Sequence, residues 1–298
     1  MLAAVAEAVG DDDKVRRIQA ALLDWYARHG RDLPWRRTRD PYAVLVAEVM
    51  LQQTQVERVI PKWQAWLARF PSFQHLAASS RADAVRAWQG LGYNLRAVRL
   101  HAIAQQVVET HGGELPGSLE ALLRLKGIGR YTAGAVACFA FEQPVAMVDT
   151  NLRRVLSRVF EADDPMALAE ALVPGQAAYA WNQALMDLGA TVCSARRPMC
   201  LMCPLRSECA TAGGPREVRE APSADVIARE RAAAEGRARR GRVVDALRSL
   251  PPGGWMPLGE LGARLDPPEP TARVARVVER LVNDGLLVRT GARVRLAD

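Results

Sequence analysis

Apolar side chains recur every three or four residues along most of the chain up to about residue 209, and proline or glycine separates one periodic stretch from the next. This spacing places apolar side chains along one side of an α-helix, so it predicts an almost entirely helical structure. Before residue 285, no stretch has the alternation of apolar and polar residues that is typical of a strand. The predicted helices span residues 15–28, 41–52, 56–69, 81–89, 94–112, 118–124, 130–141, 150–159, 165–173 and 177–189.

The pattern changes near residue 210. Residues 210–240 contain few large apolar side chains and much alanine, arginine and glutamate, which predicts a partly helical linker. Helical periodicity returns at 241–250, 257–265 and 270–284, and the final LLVRTGARVRL predicts a hairpin that turns at Thr290-Gly291. Three helices followed by a hairpin are typical of a winged-helix-like unit over residues 241–298.

The predicted helix 270–284 has two distinct faces. Arg273, Arg276 and Arg280 share one face, and valines with a leucine share the other. The apolar face predicts packing against a core, whereas the arginine face fits either contact with solvent or contact with DNA. The sequence leaves both alternatives open.

Four cysteines lie close together near residue 200, with the spacing C-x6-C-x2-C-x5-C. They are Cys193, Cys200, Cys203 and Cys209. Structural zinc sites usually have two separated pairs of ligands, whereas four unevenly spaced cysteines in one run suit a [4Fe–4S] cluster. The spacing favours iron–sulfur, with zinc and disulfides as alternatives.

The composition is that of a globular protein. The chain has 298 residues, of which 49% are hydrophobic and 24% charged, with a formal net charge of +7. All but three of the 40 basic residues are arginine, which suits phosphate contacts but is equally expected from a GC-rich genome. No apolar run reaches the roughly 18 residues of a membrane span, and the N-terminus lacks a basic segment, so we expect no membrane insertion and no secretion. Four clustered cysteines kept as free thiols fit the reducing environment of the cytoplasm better than an oxidising compartment.

The segment Leu125-Lys126-Gly127-Ile128-Gly129 joins two predicted helices. Gly127 and Gly129 allow the backbone to turn tightly and to approach another chain closely. The free N–H groups of the following helix could face a phosphate. A plain helix–helix turn is the alternative.

Two carboxyl groups are candidates for acid–base chemistry. Glu48 lies in the apolar stretch AVLVAEVMLQQT, where desolvation is expected to raise its pKa and let it donate a proton near neutrality. Pairing with an arginine is the alternative. Asp149 precedes a predicted helix, where it fits an N-cap, and a capping carboxylate would also be held rigidly at the helix entrance.

Two short segments at helix ends, Gln52-Gln53-Thr54 and Leu91-Gly92-Tyr93, could fill the gap left by a displaced base or stack on neighbouring bases. Ordinary packing at a helix end is the alternative for both. Arg196 and Arg197 lie between the first two clustered cysteines, so a metal-ordered loop would present them to phosphates.

Five ordered segments resemble the MutY-type adenine DNA glycosylases of the helix-hairpin-helix superfamily, which also contains endonuclease III. They are AEVMLQQTQVERVIP, GLGYNLRAVRLH, LKGIGRYTAGAVACFAF, VDTNLRRVLSRVF and NQALMDLGATVCSARRPMCLMCPLRSEC. The resemblance covers about residues 15–210. It implies an all-α fold in which DNA is bent across a cleft and the target nucleotide is flipped out.

The resemblance and the composition together divide the chain into five parts. An N-terminal helix at 1–28 packs with the cluster domain, 29–140 form a six-helix barrel that holds the helix-hairpin-helix, and 141–209 form the [4Fe–4S] cluster domain. A linker at 210–240 leads to the winged-helix-like domain at 241–298. The implied partner is double-stranded DNA with a mispaired or oxidised base pair. The protein is expected to bind it as a monomer, in the cytoplasm at the nucleoid.

The resemblance also implies residue roles. Glu48 matches the general acid that protonates adenine at N7. Asp149 matches the carboxylate that stabilises the sugar cation, Tyr131 a tyrosine that supports this Asp, and Asn151 a neighbour that helps place groups around the sugar. Bifunctional relatives have lysine where this chain has Tyr131, which implies a monofunctional glycosylase. Further matches surround the opposite base (Gln53, Thr54, Leu91, Tyr93) and the adenine pocket (Arg31, Trp35, Gln183).

Three departures from the family pattern leave the substrate open. Residues 241–298 do not resemble the MutT-like domain that reads 8-oxoguanine in full-length members. Thr150 follows the catalytic Asp where glycine is common, and Ala47 precedes the catalytic Glu where serine is frequent. We expect removal of adenine opposite 8-oxoguanine or guanine. The alternatives are a thymine/uracil–guanine mismatch glycosylase and a non-enzymatic iron–sulfur DNA-binding regulator.

Overall fold

The computed structural model describes residues 12–161, 164–212 and 223–298. Helices dominate these residues, which confirms the predicted all-α class. None of the helices in the described ranges is long and apolar enough to cross a membrane.

Fourteen α-helices and three short strands follow one another in the described residues. The helices up to residue 191 are α1 (Asp12–His29), α2 (Pro41–Leu51), α3 (Val56–Arg69), α4 (Phe73–Ala78), α5 (Arg81–Ala87), α6 (Leu95–His111), α7 (Leu119–Arg124), α8 (Arg130–Phe139), α9 (Thr150–Phe160), α10 (Pro165–Leu172) and α11 (Ala178–Thr191). The later elements are α12 (Ala224–Arg248), β1 (Met256–Pro257), α13 (Leu258–Arg264), α14 (Thr271–Asn283), β2 (Leu287–Thr290) and β3 (Arg293–Leu296). Short 3₁₀ turns occupy Pro34–Arg37, Gly175–Ala177 and Cys200–Met202.

Two elements were not predicted. Helix α4 is too short to show periodicity, and it is started by the Ser72 side chain, which accepts a hydrogen bond from the backbone N–H of His75. The expectation of no strand before residue 285 is wrong, because β1 pairs with β3 through Met256 and Pro257. A strand of two residues carries no alternation, so only its partner reveals it.

Helix α12 is continuous from Ala224 to Arg248 and therefore runs through much of the predicted linker. Its alanine, arginine and glutamate residues are strong helix formers even where they bury little surface. The earlier part of that linker, residues 213–222, lies outside the described residues.

The chain divides into two compact units. The first lies within Met1–Glu48 and Pro116–Glu217, and the second within Val49–Leu115 and Val218–Asp298. In the first unit, Ile18, Leu22 and Trp25 of α1 are buried in one apolar core with side chains of α9, α10 and α11. Helix α1 thus packs on elements that lie far away in sequence.

In the second unit, the C-terminal residues form a three-stranded antiparallel sheet in the order β1-β3-β2. Strands β2 and β3 form the predicted terminal hairpin, with Leu287 opposite Leu296 and Thr290 opposite Arg293. The sheet packs with α13 and α14 over a core that includes Leu261, Val274 and Val294.

Candidate active site

Glu48 lies near the C-terminal end of α2 and is almost completely buried, with 4% of its surface exposed. The surrounding helix sequence, YAVLVAEVM, is apolar on all sides, so the carboxyl group is carried into the interior with its neighbours. Its Oε2 atom has no hydrogen-bond partner among the described residues. An unpaired buried carboxyl oxygen is costly, which makes this position a candidate for function.

Burial raises the pKa of Glu48 to about 7. A hydrogen bond with Tyr131 opposes this rise, the negative charge of Asp149 adds to it, and the positive charge of Arg36 opposes it. Near neutral pH, Glu48 can therefore carry a proton and still release it, as a general acid must.

Tyr131, in the first turn of α8, is the hydrogen-bond partner of Glu48. Burial and the nearby charges of Glu48 and Asp149 raise the pKa of Tyr131 well above its usual value. Its hydroxyl group therefore stays protonated and donates to the Glu48 carboxylate. These electrostatic effects also mean that the two carboxyl groups lie in one neighbourhood of the first unit.

Asp149 is the N-cap of α9, as its position in the sequence predicted. Its Oδ1 accepts hydrogen bonds from the backbone N–H groups of Asn151 at 2.8 Å and Leu152 at 2.7 Å. The Asn151 side-chain amide donates to Oδ2 at 3.2 Å. Arg154 donates to the Asn151 Oδ1 at 2.8 Å, which turns the Asn151 N–H groups toward Asp149. The Asp149 carboxylate is thereby fixed in direction.

A buried charge cluster that we did not predict supports this region. Asp187 of α11 is fully buried and accepts two hydrogen bonds from the Arg36 guanidinium, both at 2.8 Å, and one from Arg31 Nε at 2.7 Å. Burial alone would raise the pKa of Asp187, but the hydrogen bonds and charges of Arg36 and Arg31 hold it below its usual value. Asp187 interrupts an apolar helix, as Glu48 does, and that was the available sequence signal.

Three residues were predicted to line a base pocket. One of them, Arg31, donates hydrogen bonds to Asp187 from both its backbone N–H and its side chain. Trp35, next to Arg36 in the 3₁₀ turn, and Gln183 of α11 are buried. All three belong to the first unit, together with Glu48, Tyr131 and Asp149.

The four residues predicted to surround the opposite base lie in the second unit, around Arg96, which sequence reasoning missed. The Arg96 guanidinium donates to the Thr54 Oγ1 at 3.0 Å and to the Leu91 carbonyl at 3.0 Å, and it lies over the Tyr93 ring at 5.5 Å. It also bonds the carbonyl groups of Val49, Met50, Gln52 and Gly92. The buried guanidinium group of Arg96 thus links residues 52–54 to residues 91–93.

Two of these residues have left-handed backbone conformations. Gln53 has φ 56° and Tyr93 has φ 46°, and both side chains are exposed, whereas Leu91 is buried. Such conformations cost about 1–3 kcal/mol for residues other than glycine and tend to occur at functional sites. Arg96 donates hydrogen bonds to the carbonyl groups of Gln52 and Gly92, which directly precede these two residues.

The predicted hairpin joins α7 to α8. Gly127 has φ 99°, a conformation that favours glycine, and Gly129 is the N-cap of α8. A Cβ atom at Gly129 would meet nothing within 4 Å, so the backbone there is open to an approaching group. This geometry suits a phosphate at the start of α8.

The four clustered cysteines follow α11 in the first unit and carry free thiols. Burial raises the pKa of Cys203 to about 11, and the charges of Cys193, Cys209 and Cys200 also act on it, so the four groups lie near one another. Arg158 donates a hydrogen bond to the Cys193 sulfur at 3.3 Å. The described His, Cys, Asp and Glu side chains nevertheless include no group of three or more arranged to hold a metal ion. Arg196 and Arg197 are exposed on the intervening loop.

Comparisons with known proteins identify the family of this chain. Residues 46–174 match the model of the HhH-GPD superfamily of base excision DNA repair proteins. The adenine DNA glycosylase of Mycolicibacterium smegmatis is 45% identical over 240 residues, which cover 76% of this chain and 79% of that protein. That of Mycobacterium tuberculosis (strain H37Rv) is 41% identical over 284 residues, 90% of each chain. The human adenine DNA glycosylase is 44% identical over 218 residues, which cover 67% of this chain and 40% of that protein.

Two solved structures are also similar. A thermostable thymine-DNA glycosylase superposes with a TM-score of 0.64 at 32% sequence identity, covering 67% of this chain and 96% of that one. Endonuclease III in a non-covalent complex with DNA superposes with a TM-score of 0.58 at 22% identity, covering 66% and 96%, which supports the fold alone.

The helical fold and the family match thus define a helix-hairpin-helix base excision DNA repair protein. Within that class, the chain belongs to the adenine DNA glycosylase family.

Proposed function

We propose that this chain removes adenine opposite 8-oxoguanine or guanine in double-stranded DNA by acid-assisted cleavage of the N-glycosidic bond. The observation that carries the proposal is the burial of Glu48 in an apolar helix near Asp149, where desolvation raises the pKa of Glu48 to about 7. The relatives named adenine DNA glycosylase support the choice of base. The enzyme would act as a monomer on DNA at the nucleoid in the cytoplasm.

In this mechanism, protonated Glu48 gives its proton to N7 of the extruded adenine, so the base leaves as a neutral group. Bond cleavage leaves positive charge on the sugar, and the Asp149 carboxylate, held by Asn151 and the start of α9, stabilises that charge. A proton on Glu48 and a rigidly held side chain at Asp149 serve the two different roles. Tyr131 cannot form a Schiff base, so water completes the reaction and the enzyme is monofunctional.

Gly127 and Gly129 would hold a DNA phosphate at the start of α8, with Arg196 and Arg197 as further phosphate contacts. Trp35, Arg31 and Gln183 would line the adenine pocket. Gln53, Thr54, Leu91 and Tyr93 would contact the opposite base, in the conformation that Arg96 imposes.

A thymine/uracil–guanine mismatch glycosylase is the second candidate, favoured by the 32% identity to a thymine-DNA glycosylase. A panel of duplexes decides between the two, with adenine opposite 8-oxoguanine, adenine opposite guanine, and thymine or uracil opposite guanine. We expect alkali-dependent strand breaks only at adenine. Breaks only at thymine or uracil would establish the second candidate, and binding without breaks would indicate a regulator.

We also propose that Cys193, Cys200, Cys203 and Cys209 hold a [4Fe–4S] cluster. Their mutual proximity, the exposed loop between the first two, and the Arg158 guanidinium beside the Cys193 sulfur fit a negatively charged thiolate cluster. When bound, the cluster would order the loop that carries Arg196 and Arg197.

Replacing Cys200 by serine should abolish the brown colour and lower the iron content of the purified protein, because serine is a poor ligand for iron in such a cluster. Cys138→Ala is the control, because Cys138 does not belong to the four clustered cysteines. It is buried in α8, where the Asn182 side chain donates a hydrogen bond to its sulfur. Equal iron content in wild type and Cys200→Ser would remove Cys200 from the ligand set. Zinc in place of iron in the wild-type protein would reject the cluster.

A further inference from the structure

The C-terminal part of the second unit has the element order of a winged helix. The end of α12 is followed by β1, α13, α14, β2 and β3, and the three strands pair in the order β1-β3-β2. In this arrangement α13 and α14 form the helix pair, α14 has the position of a recognition helix, and the β2–β3 hairpin is the wing. This fold shows where α14 and the wing lie, but it does not by itself show that they bind DNA.

Burial divides α14 into two faces. Val274, Val278 and Leu281 are buried, whereas Arg273, Arg276 and Arg280 are exposed. The arginine face of α14 is therefore accessible in this unit. Contact with solvent and contact with DNA, the two alternatives that the sequence left open, both apply to this exposed face.

Ion pairing leaves the positive charge on that face unbalanced. Three nearby acidic side chains, Glu260, Glu269 and Glu279, are paired with other arginines. Within the described ranges, no ion pair or side-chain hydrogen bond involves four exposed arginines of α14 and the wing, namely Arg273, Arg276, Arg280 and Arg293. These guanidinium groups are free to contact phosphates.

A groove of about 600 Å³ lies along Thr271, Ala272 and Ala275 at the start of α14. It runs along the starts of α13 and α14 and the turn of the wing, and most of its side chains are small, including Gly259, Ala272, Ala275 and Gly291. Small side chains let a bulky sugar–phosphate backbone approach α14 closely. The charge and the shape of the surface thus favour the same ligand.

Hydrogen bonds attach the winged helix to the rest of its unit. Arg248 of α12 donates to the Val85 carbonyl at 3.0 Å and to the Asn94 side chain at 2.7 Å. Arg81 donates to the Gly285 carbonyl at 3.1 Å. Asn94 follows Tyr93 directly, so α14 is held in one body with the segments around Arg96.

We propose that α14 and the β2–β3 wing form a second binding surface for duplex DNA, which contacts phosphates outside the base pair that is repaired. Arg273, Arg276, Arg280 and Arg293 supply the contacts. This surface adds affinity for duplex DNA of any sequence and takes no part in breaking the glycosidic bond.

The test uses the full-length protein and a long duplex without any lesion. In the triple variant Arg273→Gln, Arg276→Gln, Arg280→Gln, we expect affinity to fall at least about tenfold at low salt. Each lost phosphate contact also lowers the salt slope of log K by about 0.9, so the slope should fall by up to about 2.7. The base-release rate at saturating enzyme should not change.

Two further variants control this result. Arginine-to-lysine changes at the same three positions keep the charge, so they should retain most of the slope. The triple variant Arg229→Gln, Arg231→Gln, Arg237→Gln removes the same charge from exposed positions of α12 and should have a smaller effect. An equal loss in both glutamine triples, or an unchanged slope in the first, would overturn the proposal. Stronger competition by single-stranded RNA than by duplex DNA would reassign the surface. Because binding to undamaged DNA is the readout, the result is independent of whether adenine is excised.

Discussion

Replacement of Glu48 by glutamine is expected to lower the single-turnover rate of adenine release by about 10²- to 10⁴-fold, the usual contribution of a positioned general acid. Glutamine has nearly the same shape and can still accept a hydrogen bond from Tyr131, but it has no acidic proton. The rate should be measured with enzyme in excess over a duplex with adenine opposite 8-oxoguanine, so that product release does not contribute.

The matched control is Glu57→Gln, which removes the same charge from an exposed position on α3. It should leave the rate unchanged. If Glu48→Gln retained more than about one tenth of the wild-type rate, Glu48 would not be the proton donor, and the proposed mechanism would fail even if the substrate were correct.

The pH dependence provides an independent check of Glu48. Because its pKa is about 7, the protonated form that donates is present below this pH and is lost above it. The single-turnover rate should therefore fall as pH rises through about 7, and this fall should be absent from the residual activity of Glu48→Gln.

The same pKa has a consequence for stability. The pKa of Glu48 is raised from 4.5 to about 7 by folding, so its favourable contribution is complete below pH 4.5 and is lost as pH rises through 7. Relative to wild type, Glu48→Gln should become more stable above pH 7, by up to roughly 3 kcal/mol in the free energy of unfolding. Urea unfolding at pH 5 and pH 8 measures this difference.

Local signals in the sequence were sufficient for most helices and marked the two candidate carboxyl groups, whose proposed roles come from the family resemblance. Helix α3 has the predicted bounds of 56–69, and Asp149 has the predicted capping role. Glu48 was recognisable because a charged residue inside an apolar helix must enter the interior with it. These features depend on residues only a few positions away in the chain, so the periodicity of the sequence reveals them.

The unpredicted parts of the site depend on contacts between distant residues. Asp187 is paired with Arg31 and Arg36, which lie about 150 positions earlier, and Arg96 binds carbonyl groups that any sequence would supply. Backbone carbonyl groups leave no mark in a sequence, so the role of Arg96 becomes visible only in the fold. Strand β1 was missed for the same reason, because only β3 defines it.

Asp149→Asn is expected to lower the single-turnover rate by about 10³-fold, because it removes the negative charge that stabilises the sugar cation. The fold should be kept. Asparagine is as good an N-cap as aspartate, so its side-chain oxygen can still accept from the N–H groups of Asn151 and Leu152. Affinity for the substrate duplex should remain close to that of wild type, measured by a gel shift under conditions where no base is released.

Asp164→Asn is the matched control, since Asp164 caps α10 through the backbone N–H groups of Met166 and Ala167 in the same way. The two variants lose the same charge from the same kind of helix position, so the capping contribution cancels between them. A large loss of rate in Asp149→Asn alone would assign the effect to charge at the reacting sugar. Similar losses in both would mean that Asp149 acts only as a cap, and the stabilisation of the sugar cation would then have to come from another group.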